Sequence, residues 1–100
     1  DTERVVTIDT ILDTVMGHFK VALPDLKGKS RKKETVFPRQ VAMFLAKEFT
    51  DLSLKSIGYH FGDRDHSTVI HAIQTISDLM ETDKKIQADV SGLQRQLGGK

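Results

Sequence analysis

Asp65, His66 and Ser67 follow one another in the stretch GDRDHSTVIHA and carry the letters of a hydrolase triad. A triad needs acid, base and nucleophile converging from different elements, whereas consecutive helical residues point about 100° apart. The spacing argues against nucleophilic catalysis. Taken as the start of a helix, the same residues suit another chemistry. Asp65 fits an N-cap whose carboxylate accepts the amide of Ser67 or Thr68. Its second oxygen could still take the amino group of a cytosine. Ser67 and Thr68 are small hydrogen-bonding groups of the kind that read base edges in a major groove. His18, His60, His66 and His71 raise the question of a metal. No two of them stand four residues apart on one helical face, and no cysteine is present to join them, so the pattern disfavours a zinc site.

Leu54, Ile57 and Phe61 predict a short apolar helix with Ser53 as its cap. Gly62 breaks it, and a longer helix restarts at Asp65. Short helix, tight glycine turn and second helix make a helix-turn-helix over Leu54–Met80. In the second helix, Val69, Ala72, Ile73, Ile76, Leu79 and Met80 phase to one side. Ser67, Thr68, His71, Gln74, Thr75 and Asp78 phase to the other. The start of that wet face is expected to lack bulky aliphatics. For His71, contact with a phosphate or base and simple solvation both fit; His60 is read as structural.

The remaining chain predicts more helices and no β-strand. Thr7 caps a helix carrying Ile8, Ile11, Leu12, Val15 and Phe19 at helical spacing, with Asp9 in its first turn. Leu23 to Leu26 reads as one helical turn or a tight loop. Pro38 suits the first turn of a helix bearing Val41, Ala42, Leu45, Ala46 and Phe49. Glu81 to Asp83 marks a turn. Ile86, Val90, Leu93 and Leu97 give a last amphipathic helix that ends at Gly98-Gly99. The expected fold is all-α, a compact bundle of about six helices, two of them short. One hundred residues with 38% hydrophobic content support a single domain over 1–100. Residues 1–6 read as a linker remnant, and Asp1 in place of Met suggests a fragment of a longer multidomain protein.

The net charge of +1 does not announce a nucleic-acid partner, so the distribution of charge must. Lys27 to Lys33 (KGKSRKK) packs five cations into seven residues and reads as a loop. By itself such a run is a solvated loop. Beside a helix-turn-helix, it could follow phosphates or place an arginine in a minor groove. Arg64, in the turn, suits a phosphate or an ion pair with Asp63 or Asp65. Arg39 in a helical first turn opposes the helix dipole and points mildly to an external anion. The absence of cysteine excludes a disulfide framework, and no apolar run approaches the ~20 residues of a membrane span. No signal-peptide pattern opens the chain.

FGDRDHSTVIHA resembles the signature of the C-terminal DNA-binding domain (domain IV) of the bacterial DnaA replication-initiator family. The resemblance extends from about Thr7 to Leu97 and includes Pro38-Arg39-Gln40 and the Ala42–Glu48 helix. It implies binding of double-stranded DNA at origin boxes with a consensus like TTATCCACA, in the initiation and regulation of chromosomal replication. By position it implies base contacts from Arg31, in the minor groove, and from Asp65, His66, Ser67 and Thr68. It implies backbone contacts from Lys33, Arg39, Gln40, Lys47, Thr50, Leu54, Lys55, Arg64 and His71. Asp63 replaces a glycine common in the turn, Phe37 an arginine of some relatives, and Thr75 a frequent lysine. Each change removes or offsets a positive charge. Lys55, where proline can occur, adds one.

The resemblance further implies a cytoplasmic, nucleoid-associated and monomeric domain without enzymatic activity. ATP would belong to a separate domain, since no GxxxxGK[ST] loop is present here. Possible partners are regulatory proteins and, for the full-length protein, acidic phospholipids. Two readings compete with DNA binding: a helical protein-interaction module, because fold alone does not fix function, and lipid association through the basic loop.

Overall fold

The polypeptide solves a length problem first, because isolated helices this short are marginal in water and need a shared core. The computed structural model describes residues 6–28 and 32–98. Six helices follow one another there: α1 (Ile8–Phe19), α2 (Leu23–Lys27), α3 (Lys33–Phe49), α4 (Leu54–His60), α5 (His66–Thr82) and α6 (Lys84–Gly98). Helix α3 is central and packs against each of the other five. Val41, Ala42, Leu45 and Ala46 give it a fully buried stripe. Ile11 and Val15 of α1, Ile57 and Phe61 around α4, Val69 and Ile76 of α5, and Val90 and Leu93 of α6 close around that stripe.

The caps explain most boundaries. Thr7 accepts the amide of Thr10 at 3.2 Å, and Ser53 accepts that of Ser56 at 3.1 Å. Each satisfies an amide the first helical turn leaves without a partner. Asp83 alone separates α5 from α6, its carboxylate accepting the amides of Lys85 and Ile86 at 3.0 and 3.2 Å. Asp65 caps α5 with one oxygen, Oδ1, which accepts both the Thr68 amide at 3.0 Å and the Thr68 hydroxyl at 2.9 Å.

Three expectations need correction. Helix α3 opens at Lys33 rather than at Pro38, so Pro38 lies inside it. The carbonyl of Lys32 accepts the Thr35 and Val36 amides at 3.0 and 2.8 Å and starts the helix more than one turn earlier. Arg39 therefore is not in a first turn. The basic run is also shorter as a connection than expected, since Lys27 ends α2 and Lys33 begins α3. Val6, read with the linker, is half-buried and packs against the core; residues 1–5 lie outside the described residues.

The turn between α4 and α5 is tightly specified. Phe61, the largest fully buried side chain, ends α4. Gly62 and Asp63 then take φ of +88° and +61°. The Asp63 and Arg64 amides donate back to the carbonyls of Tyr59 and Gly58, at 3.3 and 2.9 Å. A Cβ on Gly62 would overlap the Lys27 carbonyl, and one on Gly58 the Arg64 carbonyl. Gly62 is thus required twice, by its dihedral and by the close approach of α2.

Two measurements check this account. In urea denaturation, Gly62→Ala is expected to lose more than about 2 kcal/mol, combining left-handed strain with backbone overlap. Asp63→Gly is expected to gain about 0.5–1 kcal/mol by relieving the same kind of strain without a new overlap. The Thr68 amide, the Thr68 hydroxyl and nearby His66 all favour the ionised form of Asp65 and hold its pKa below the ordinary value of 3.8. A carboxyl depressed on folding stabilises above its unfolded pKa, and that stabilisation is lost as pH falls through the folded value. Asp65→Asn keeps a capping oxygen without a titrating proton, so its stability is expected to decline less steeply below about pH 4.

Candidate nucleic-acid interface

Helix α5 sets the site. Val69, Ala72 and Ile76 are buried, and this fixes which side of the helix faces solvent. Asp65, His66, Ser67, Thr68 and His71 are all exposed. Four of these five stand consecutively at the amino-terminal end, where unpaired amides and the helix dipole favour an anion. Asp65 uses only Oδ1 in capping, and among the described residues Oδ2 has no partner. Cap and outward acceptor are therefore compatible on one carboxylate. The Thr68 hydroxyl already donates to Asp65 and keeps only acceptor capacity.

The wet face is not free of aliphatics as expected. Ile70 is 47% exposed and projects between His66 and Ser67 when α5 is viewed down its axis. Its phase, about 100° from the centre of the polar face and about 120° from the centre of the apolar one, places it at the border between the two. Tyr59, also unassigned from sequence, is 71% exposed on α4. It stands one turn after Lys55 and lines a shallow cleft with Lys55, Arg64 and His66.

Other candidates distribute unevenly. Lys33, Gln40 and Lys47 recur every seven residues along α3, opposite its buried stripe, and form an outward strip about 21 Å long. Lys33 and Lys47 are exposed and Gln40 half-buried. Lys55 is exposed at the start of α4, beside a half-buried Leu54 that packs on the core. Phe37 sets its ring edge-on to Phe19 at 5.5 Å and so joins α3 to α1. The Thr75 hydroxyl donates to the His71 carbonyl at 2.8 Å. Arg31 lies outside the described residues.

Arg39, Thr50 and Arg64 depart from their expected roles. Arg39 is only 6% exposed. Its Nε donates to the Leu26 carbonyl at 3.0 Å and Nη2 to the Asp25 carbonyl at 2.8 Å. Its acceptors are thus internal, the carbonyls at the end of α2, in place of the external anion expected of it. Burial and then the neighbouring Arg64 charge lower its pKa, with Asp25 opposing; a guanidinium stays protonated regardless. Thr50 donates its one hydroxyl proton to the Ala46 carbonyl and accepts the Leu52 amide, so it caps α3 and has no donor left for a phosphate. Arg64 pairs with neither Asp63 nor Asp65; its Nη2 donates to the Gly28 carbonyl, and its buried Nε has no partner among the described residues. The partners of Arg39 and Arg64 are remote in sequence, and periodicity carries no trace of them.

Among the described residues no group of three His, Cys, Asp or Glu converges to hold a metal, and no helix is long and apolar enough to cross a membrane. His18 instead reaches Asp89 of α6 at 3.4 Å.

Comparison with known proteins agrees with this arrangement. The family described as the bacterial DnaA protein helix-turn-helix matches residues 8–76. The chain is 50% identical over 92 residues to the chromosomal replication initiator protein DnaA of Levilactobacillus brevis, which covers 92% of this chain and 20% of that protein. It therefore spans about a fifth of the length of that relative. An exposed, hydrogen-bonding helix start on a buried helix-turn-helix, together with these matches, places the chain in the bacterial DnaA C-terminal helix-turn-helix family.

Proposed function

We propose that the domain binds double-stranded DNA sequence-specifically at origin boxes with a consensus like TTATCCACA and so serves the initiation of chromosomal replication. The observation that carries this reading is the run Asp65 to Thr68, exposed at the start of a helix whose opposite side is buried. An α-helix fits the major groove, and donors and acceptors at its first turn can distinguish base pairs there. His66 and Ser67 read base edges, and Oδ2 of Asp65 accepts from a cytosine amino group. Ile70 offers its aliphatic surface to a thymine methyl.

Lys33, Gln40, Lys47, Lys55 and His71 set register through the sugar-phosphate backbone, with Leu54 packing beside it. Arg31 enters the narrow minor groove at the A·T-rich end of the box. The near-neutral charge of the chain fits a binder in which base contacts, more than bulk attraction, carry discrimination. A cytoplasmic location at the nucleoid accompanies this function.

His66→Ala and Lys33→Ala separate the two kinds of contact. On a duplex carrying the box, His66→Ala is expected to cost about 1–3 kcal/mol, with little effect on a scrambled duplex. Equal losses on both would refute base reading by His66. Lys33→Ala is expected to weaken both duplexes and to lower the slope of log affinity against log salt by about one. An unchanged slope would remove Lys33 from the phosphate contacts.

A further inference from the structure

Among the described residues, Tyr59 has the most exposed large hydrophobic side chain, at 71%, and it takes no part in the contacts proposed above. A single surface aromatic means little by itself; the setting gives this one a meaning. Lys55 and Tyr59 stand four residues apart on α4 and share one face of it. That face borders a shallow cleft completed by Asp63 and Arg64 of the turn and by Asp65 and His66 at the start of α5. A cation assigned to the sugar-phosphate backbone and two side chains assigned to bases thus line the same depression as the phenol. In a helix-turn-helix the second helix enters the major groove while the first crosses the backbone. Because the Lys55–Tyr59 face borders the start of α5, it meets the strand that edges the groove. We infer that Tyr59 is a further DNA-contacting residue. Its hydroxyl donates to a phosphate beside Lys55, and its ring covers the adjoining deoxyribose. This rests on the DNA-binding reading above.

A phenol joins an apolar ring to one O–H donor, a pairing that suits a sugar and its phosphate. The donor is available: among the described residues the Tyr59 hydroxyl has no hydrogen-bond partner, although the carboxylates of Asp63 and Asp65 line the same cleft. The ring stands edge-on to that of His60, with centroids 5.9 Å apart and planes at 76°, a contact that favours one orientation. The Tyr59 carbonyl accepts the Asp63 amide at 3.3 Å, which ties its place on α4 to the turn that launches α5. Four residues of helix rise about 6 Å, so Lys55 and Tyr59 serve one short stretch of strand. Charge favours a neutral group here. Asp63 repels a phosphate, and Arg64 has Nη2 engaged by the Gly28 carbonyl. A phenol binds the phosphate without being drawn, as a lysine would be, into an ion pair with Asp63. It also releases no counterion, so its contribution leaves the salt slope unchanged.

The sequence supplies the probe. Tyr59 is the single tyrosine and no tryptophan is present, so the intrinsic tyrosine emission of the chain reports residue 59 alone. Quenching of that emission by acrylamide is measured for the free wild-type chain and for its complex with the box duplex. Acrylamide is uncharged, so DNA does not exclude it as it would iodide. Tyr59→Phe keeps the ring and removes only the hydroxyl. It is titrated, beside the wild type, against box and scrambled duplexes at several salt concentrations.

The quenching constant is expected to fall severalfold in the complex. Tyr59→Phe is expected to bind both duplexes about fivefold more weakly, the loss of one hydrogen bond, with an unaltered salt slope. Emission as open to acrylamide in the complex as in the free chain would overturn the proposal and leave this face of α4 to a protein partner. Protection with full affinity in Tyr59→Phe would overturn it too, since the ring would then be covered without its hydroxyl being bound. So would a loss confined to the box, the mark of base reading. A wild-type chain that binds neither duplex would refute the function proposed above, and this contact with it.

Discussion

Val69, Ala72 and Ile76 hold α5 by the burial of their side chains against α3 and α4, and what the protein can offer a duplex depends on that burial. A helix of 17 residues is marginal alone, and this one has exposed Ser67, Thr68 and His71 near its start where helix formers would serve it better. Fully burying a valine or isoleucine contributes about 1.5–3 kcal/mol, so the inner face supplies the rigidity that the outer face does not. The absence of a Cβ at Gly58 lets the turn carbonyl of Arg64 approach α4 closely. The angle at which the Asp65–Thr68 run is presented follows from that approach.

The polarity of the site follows the same division. Asp65 serves the fold with one carboxylate oxygen and leaves the other outward. Arg39 and Arg64 serve the fold with cations that a reading of the surface would assign to DNA. The chain therefore has fewer free positive charges at its candidate interface than its basic residues suggest. With a net charge of +1, little is left for unspecific attraction. Under the proposed function, discrimination rests on hydrogen-bond geometry at the start of α5.

Much of this was legible in the sequence because it is local. The helical period of α5, the caps Thr7, Ser53 and Asp65, and the break at Gly62 each depend on residues within a turn of one another. The all-α class and the helix-turn-helix followed from these, and family membership agrees with them. The start of α3 was misplaced because Pro38 is a strong local signal for a first turn, while the Lys32 carbonyl that initiates the helix has no side-chain signature. The partners of Arg39 and Arg64 lie 13 to 36 residues away, and only the packing of α2 brings them together. The family resemblance implies a backbone contact from Thr50 by position; the fold gives its hydroxyl proton to Ala46. Ile70 and Gly58 carry no polar signature, one being an exposed aliphatic and the other a buried glycine.

The central claim is that the start of α5 reads bases and does not merely lie against phosphate. Fluorescence anisotropy of the wild-type chain against a labelled TTATCCACA duplex and a scrambled duplex, at two salt concentrations, tests it most directly. The account predicts a preference of about 10³-fold or more for the box that persists at the higher salt. Equal binding to both duplexes that vanishes as salt rises would contradict it, leave only charge attraction, and favour a protein-interaction role for the exposed face of α5.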